Sequence, residues 1–152
     1  MDAFALAGLL VLPVWVVWLA RPRSTVALTL ASTPWIVGPP ALVYAVRAAP
    51  ALVELAPMVL MPEELTIRAA LATDLGTDLA WAHFCALDLL AGQIVLRDSL
   101  ARDASALRVR LSLLLTLAFA PLGLLVHLIT RDLYIRPMIQ EPDPIVRPEA
   151  PR

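Results

Sequence analysis

AFALAGLLVLPVWVVWLA, residues 3–20, runs for 18 positions without a charged side chain. STVALTLASTPWIVGPPALVYAV, residues 24–46, runs for 23 more. Residues 79–96 carry only Asp88 and, when protonated, His83, and residues 111–130 carry only His127. A spanning helix needs about 20 apolar residues to cross roughly 30 Å of hydrocarbon. The four runs therefore predict an all-α fold: a polytopic membrane protein built as a four-transmembrane-helix bundle. Asp2 stands where a secretory leader would carry basic residues, which argues against a cleaved signal peptide.

Composition agrees. Of 152 residues, 60% are hydrophobic and 16% charged, where a soluble domain carries about 25% charge. Twelve basic residues, all arginine, face thirteen acidic ones, so the net charge of −1 offers no basic field for nucleic acid. The single cysteine, Cys85, excludes an intrachain disulfide and a cysteine-clustered metal site. Two histidines are too few for the histidine boxes of membrane di-iron enzymes. No glycine-rich phosphate loop or nucleophile elbow is present.

The connections set the organisation. Arg21-Pro22-Arg23 makes a tight polar turn between the first two runs. Glu63 to Leu71 reads as a short amphipathic helix between helices two and three, begun by Pro62 and closed by Gly76. Residues 1–136 form the transmembrane domain, and 137–152, with five prolines, form an extended or disordered tail. Arg21, Arg23, Arg97, Arg102, Arg108 and Arg110 fall on one side; Arg47, Arg68, Arg131 and Arg136 fall on the other. The positive-inside rule then puts both termini outside the cytoplasm, in the inner or cell membrane.

Pro13, Pro34, Pro39, Pro40 and Pro121 lie inside the runs, and each removes an amide donor. The Pro39-Pro40 pair is expected to break helix two near its middle. Gly92 and Gly123 are expected to allow close helix contact.

Chemistry in such a chain belongs to its intramembrane ionisable groups. A carboxylate at the centre of helix three, Asp88, costs at least about 2.5–3.5 kcal/mol on insertion scales, so it should face inward, paired or neutral. His83 precedes it by five residues, about 140° round the helix. With helices three and four antiparallel, His83 and His127 are expected at similar depth, within reach of one pocket, with Arg131 one turn beyond. Each has a plainer reading: Asp88 as a hydrogen-bonding link between helices, His83 on a backbone carbonyl, His127 at the headgroup boundary.

Trp81-Ala82-His83-Phe84-Cys85-Ala86-Leu87-Asp88-Leu89-Leu90-Ala91-Gly92, followed by Phe119-Ala120-Pro121-Leu122-Gly123-Leu124-Leu125, resembles the paired signature of the abscisic-acid-deficient-four-like family. The likeness extends from Leu12-Pro13-Val14-Trp15 to His127 and Arg131. It departs at Gln93, where an Arg often follows the Gly, at Ala120, where a Gly often precedes the Pro, and at Leu87 and Leu90, which replace aromatics.

The family is tied in plants to conversion of violaxanthin into neoxanthin. The resemblance implies a carotenoid or isoprenoid isomerase that opens an epoxide with no cofactor and no metal. Asp88 would be the acid, His83 or His127 the base, and Trp81, Phe84 and Arg131 the substrate contacts. The partners implied are membrane lipids and a hydrophobic isoprenoid ligand, with no nucleic acid and with room for an oligomer. Two other readings stay open: a non-catalytic membrane subunit or lipid- or pigment-binding partner, and a haem held by His83 and His127.

Overall fold

A computed structural model describes residues 2–131, and within them it is helical, with no strand. Helix α1 covers Ala3–Ala20, with Asp2 accepting from the amide of Ala5 as its N-cap. Then follow α2 (Thr25–Ser32), a 3-10 turn at Pro34–Val37, α3 (Gly38–Ala48), a second 3-10 turn at Ala49–Ala51, and α4 (Leu52–Leu60). Helix α5 covers Glu64–Leu71, α6 Asp74–Ala101, α7 Ala106–Ala118 and α8 Ala120–Arg131. The tail at 137–152 lies outside the described residues.

Three helical stretches are long and apolar enough to cross a membrane: Ala3–Ala20, Pro34–Leu60 and Asp74–Ala101. Their outer faces are apolar as well. Leu9, Leu12, Val16, Leu42, Val46 and Phe84 are all exposed, the pattern of a helix whose solvent on that side is lipid.

The second apolar run breaks earlier than the Pro39-Pro40 pair suggested. Pro34 stops α2, because it lacks the amide that would bond the carbonyl one turn back. Pro39 and Pro40 instead occupy the first turn of α3, where amides have no helical partner and a missing donor costs nothing. The break at Thr33 leaves carbonyls open, and the buried Gln93 of α6 serves two of them: its Nε2 donates to Ala31 O at 2.7 Å and Thr33 O at 3.1 Å.

The expected fourth span is not one helix. Phe119 leaves the helical region (φ −150°, ψ 76°), and Pro121, which cannot continue α7, sits in the first turn of α8. The chain then doubles back. A β-carbon at Gly123 would stand 2.4 Å from the backbone nitrogen of Thr116, and Arg108 Nη2 donates to Thr130 O at 2.9 Å. Residues 22 apart along one straight helix would be about 33 Å apart. Helices α7 and α8 are thus the arms of a helical hairpin, about 20 Å and 18 Å long, each shorter than the roughly 30 Å hydrocarbon layer.

The hairpin corrects the expected sidedness. Arg131 returns to the end of the bundle that holds Arg102, its nitrogen 3.6 Å from Asp98. Asp2 lies at the other end, lining a groove with Arg47 and Asp78.

The longest helix, α6, is the centre on which the rest packs. Gly92 opens a notch in it: a β-carbon there would lie 2.6 Å from the Trp15 ring and 3.0 Å from that of Trp18. Those two indoles meet edge to face, and Trp18 donates to Ala27 O, tying α1 to α2. Gly76 lies in the first turn of α6 and does not close α5; a β-carbon there would overlap the carbonyl of Ala70. The short helix expected at 63–71 is present as α5, held against α6 by that contact.

Candidate functional site

His83 and Phe84 project from α6 into a cavity of about 420 Å³ between α3, α4, α5 and α6. Leu55, Met58, Ile67 and Leu79 form its apolar wall, and Tyr44 of α3 completes it. The Tyr44 and His83 rings have centroids 6.0 Å apart and are inclined at 51°. Phe84 meets His83 edge-on at 6.2 Å. An apolar chamber with few polar groups is the usual form of a small-molecule site, and its volume falls within the roughly 300–1,000 Å³ of such sites. Tyr44 and His83 are one phenol and one imidazole, a pair able to give and take a proton.

The other candidate residues do not gather here. Asp88 is half-buried on α6, makes no hydrogen bond or ion pair among the described residues, and is absent from the cavity lining. Its five-residue offset from His83 turns it about 140° away, so Asp88 does not stand beside that imidazole. Trp81 points toward α1 instead, stacked on Phe4 at 4.8 Å with its indole against Gly8. Of the three expected substrate contacts, only Phe84 lines the cavity.

His127 and Arg131 stand at the opposite end. His127 is 1% exposed, and its Nε2 lies 3.0 Å from Asp98 Oδ2. Arg102 Nε donates to the same oxygen at 3.0 Å, and Arg131 faces the other at 3.6 Å. The Nδ1 of His127 is buried without a hydrogen-bond partner. Asp98 is 15 residues beyond His83 on α6, about 22 Å by helical rise.

That separation overturns the shared imidazole pocket, and with it a haem ligated on both faces by these two histidines. The expectation failed because it took 111–130 as one straight helix; the hairpin carries His127 back to the arginine-rich end. No group of three or more histidine, cysteine or acidic side chains suited to a metal occurs among the described residues.

Two participants escaped the sequence reading. Tyr44 lay in a run read only as apolar, and nothing in its spacing marks it. Asp98 was legible in part, because Arg102 follows at i+4, but its tie to His127 depends on the hairpin.

A family profile described as ABA DEFICIENT 4-like matches residues 2–127. The chain belongs to the ABA4-like family. The matched region of this ABA4-like protein contains the His83 cavity, the hairpin turn and His127, and ends four residues short of Arg131. No curated protein and no solved structure matches the chain.

Proposed function

We propose that this ABA4-like chain is an integral membrane protein that admits an isoprenoid- or carotenoid-type ligand to the His83 cavity and isomerises it by acid–base chemistry. The observation that carries the reading is an apolar chamber open beside lipid-facing helices, with Tyr44 and His83 as its paired protic groups.

Opening an epoxide to an allene changes no oxidation state. The ring-adjacent vinylic C–H gives up its proton to a base, the electron pair forms the new double bond, the carbon–oxygen bond breaks, and the oxygen takes a proton from an acid. His83 is the base and Tyr44 the acid in this assignment, and exchange of one proton between them resets the site. The cavity receives an end ring, while the rest of a long polyene lies among the acyl chains beside Phe84.

Sidedness follows from the arginines. Among the described residues, Arg21, Arg23, Arg97, Arg102, Arg108, Arg110 and Arg131 share one end, against Arg47 and Arg68 at the other. We assign the first end to the cytoplasm, so the cavity opens toward the far leaflet.

Expression in carotenoid-producing cells, with chromatography of the pigments, tests the reading. The parent chain should yield a new isomer. His83→Gln and Tyr44→Phe should each lose about 10²–10⁴-fold of its formation, and Asp88→Asn should retain it. Pigment that copurifies unchanged would make the protein a binding partner and not an isomerase. Loss in Asp88→Asn with retention in His83→Gln would refute the assignment.

A further inference from the structure

On the other side of α3 from the His83 cavity, a groove of about 760 Å³ runs between α1 and α3. Leu6, Leu10, Val43 and Val46 line its length, and Asp2, Arg47 and Asp78 stand at one end. Asp2 caps α1, Arg47 lies in the last turn of α3, and Asp78 lies in the second turn of α6. The polar end is therefore the end of the bundle. Leu10 is eight residues from Asp2, about 12 Å deeper by helical rise, close to the roughly 15 Å of one leaflet's hydrocarbon.

The charges at the mouth are incompletely answered. Arg47 Nη2 forms an ion pair with Asp78 Oδ2 at 2.7 Å. Arg47 Nε is buried with no hydrogen-bond partner. The arginine side chain remains 42% exposed, whereas Asp78 is 14% exposed. Asp2 accepts one backbone bond and keeps further lone pairs open.

We propose that this groove holds one acyl chain of a zwitterionic phospholipid, its phosphate on Arg47 and its primary ammonium between Asp2 and Asp78. An anionic headgroup would bring its charge against two carboxylates with only one guanidinium to offset them. A purely cationic one would be repelled by the part-exposed guanidinium of Arg47. A headgroup with both signs meets both, with the phosphate at the guanidinium. The proposal needs the membrane placement, and it is independent of what enters the His83 cavity.

The full-length chain is reconstituted in nanodiscs with equal phosphatidylethanolamine, phosphatidylcholine and phosphatidylglycerol, and lipids retained after release are read by native mass spectrometry. Phosphatidylethanolamine should exceed each of the others by roughly three- to fivefold, the discrimination expected of a part-exposed charge contact. Arg47→Gln combined with Asp78→Asn should level the three lipids while leaving the elution profile of the folded protein unchanged. Should that double variant misfold, Val46→Trp, on an exposed groove wall, should reduce total retained lipid, while Leu122→Trp on α8 should not. Equal retention of the three lipids by the parent chain, or a preference for phosphatidylglycerol, would overturn the proposal. So would a preference that persists in the folded double variant, or retention unaffected by Val46→Trp.

Discussion

His127 Nε2 lies 3.0 Å from Asp98 Oδ2 across the packing of α8 on α6, and this contact fastens the returning arm of the hairpin to the central helix. His127 is fully enclosed, so its removal leaves both a hole and a carboxylate short of one partner. His127→Ala should cost roughly 1.5–3 kcal/mol in detergent unfolding, as for a hydrogen bond to a charged group. Combining it with Asp98→Asn should cost less than the sum of the two. Additive losses would mean that the contact does not bind the arm.

Gly123 and Gly92 differ in what a methyl group would strike. At Gly123 it meets the backbone of Thr116, and at Gly92 the rings of Trp15 and Trp18. Rings turn or slide more readily than backbone, so Gly123→Ala should be the worse of the two, with overpacking costs of about 1–3 kcal/mol or more. Gly38→Ala meets only an ordinary 3.6 Å contact with Trp35 and should be close to neutral. Thermal unfolding of the three variants ranks them.

The hairpin fixes which side each loop faces. In a Cys85→Ala background, Asp103→Cys and Arg131→Cys should react with a membrane-impermeant maleimide from one face, and Thr66→Cys from the other. A continuous fourth span would place Arg131→Cys with Thr66→Cys, and that labelling pattern would eliminate the hairpin.

Gln93 spends its amide on two carbonyls in a buried site. Gln93→Leu keeps the bulk and loses both bonds, leaving unsatisfied acceptors at about 1–3 kcal/mol. Gln93→Glu presents lone pairs to lone pairs and should be less stable still. The two variants, compared by chemical unfolding of the purified protein, should fall in that order.

Much of the architecture was legible because charge is so costly in hydrocarbon. The apolar runs at 3–20 and 79–96 became α1 and most of α6, and Gly92 and Gly123 marked close contacts, as small residues in apolar helices do. The failures arose where hydropathy is silent. Residues 111–130 are apolar whether they cross the bilayer or turn back within it, and only Phe119 and Pro121 carried the turn. Helix α6 extends beyond its apolar run at both ends, to Asp74 and Ala101, because Thr73 caps it and the arginine end supplies partners. For the site, the WxHxxxxDLxxG run lies on α6, the helix whose His83 and Phe84 line the cavity. The five-residue spacing already turned Asp88 away from His83, but nothing in the run showed that Tyr44 comes from α3 to meet the imidazole.

The amide of Gln93 acts as a splint across a fracture in a different helix, so the two positions are bound to change together. A relative with an unbroken second helix has no open carbonyls for an amide to serve. One that carries arginine after the glycine also brings N–H donors to the same place, and can keep its fracture. Variation at this site among family members should therefore track the presence of proline at the position of Pro34, although 58 residues of chain lie between them.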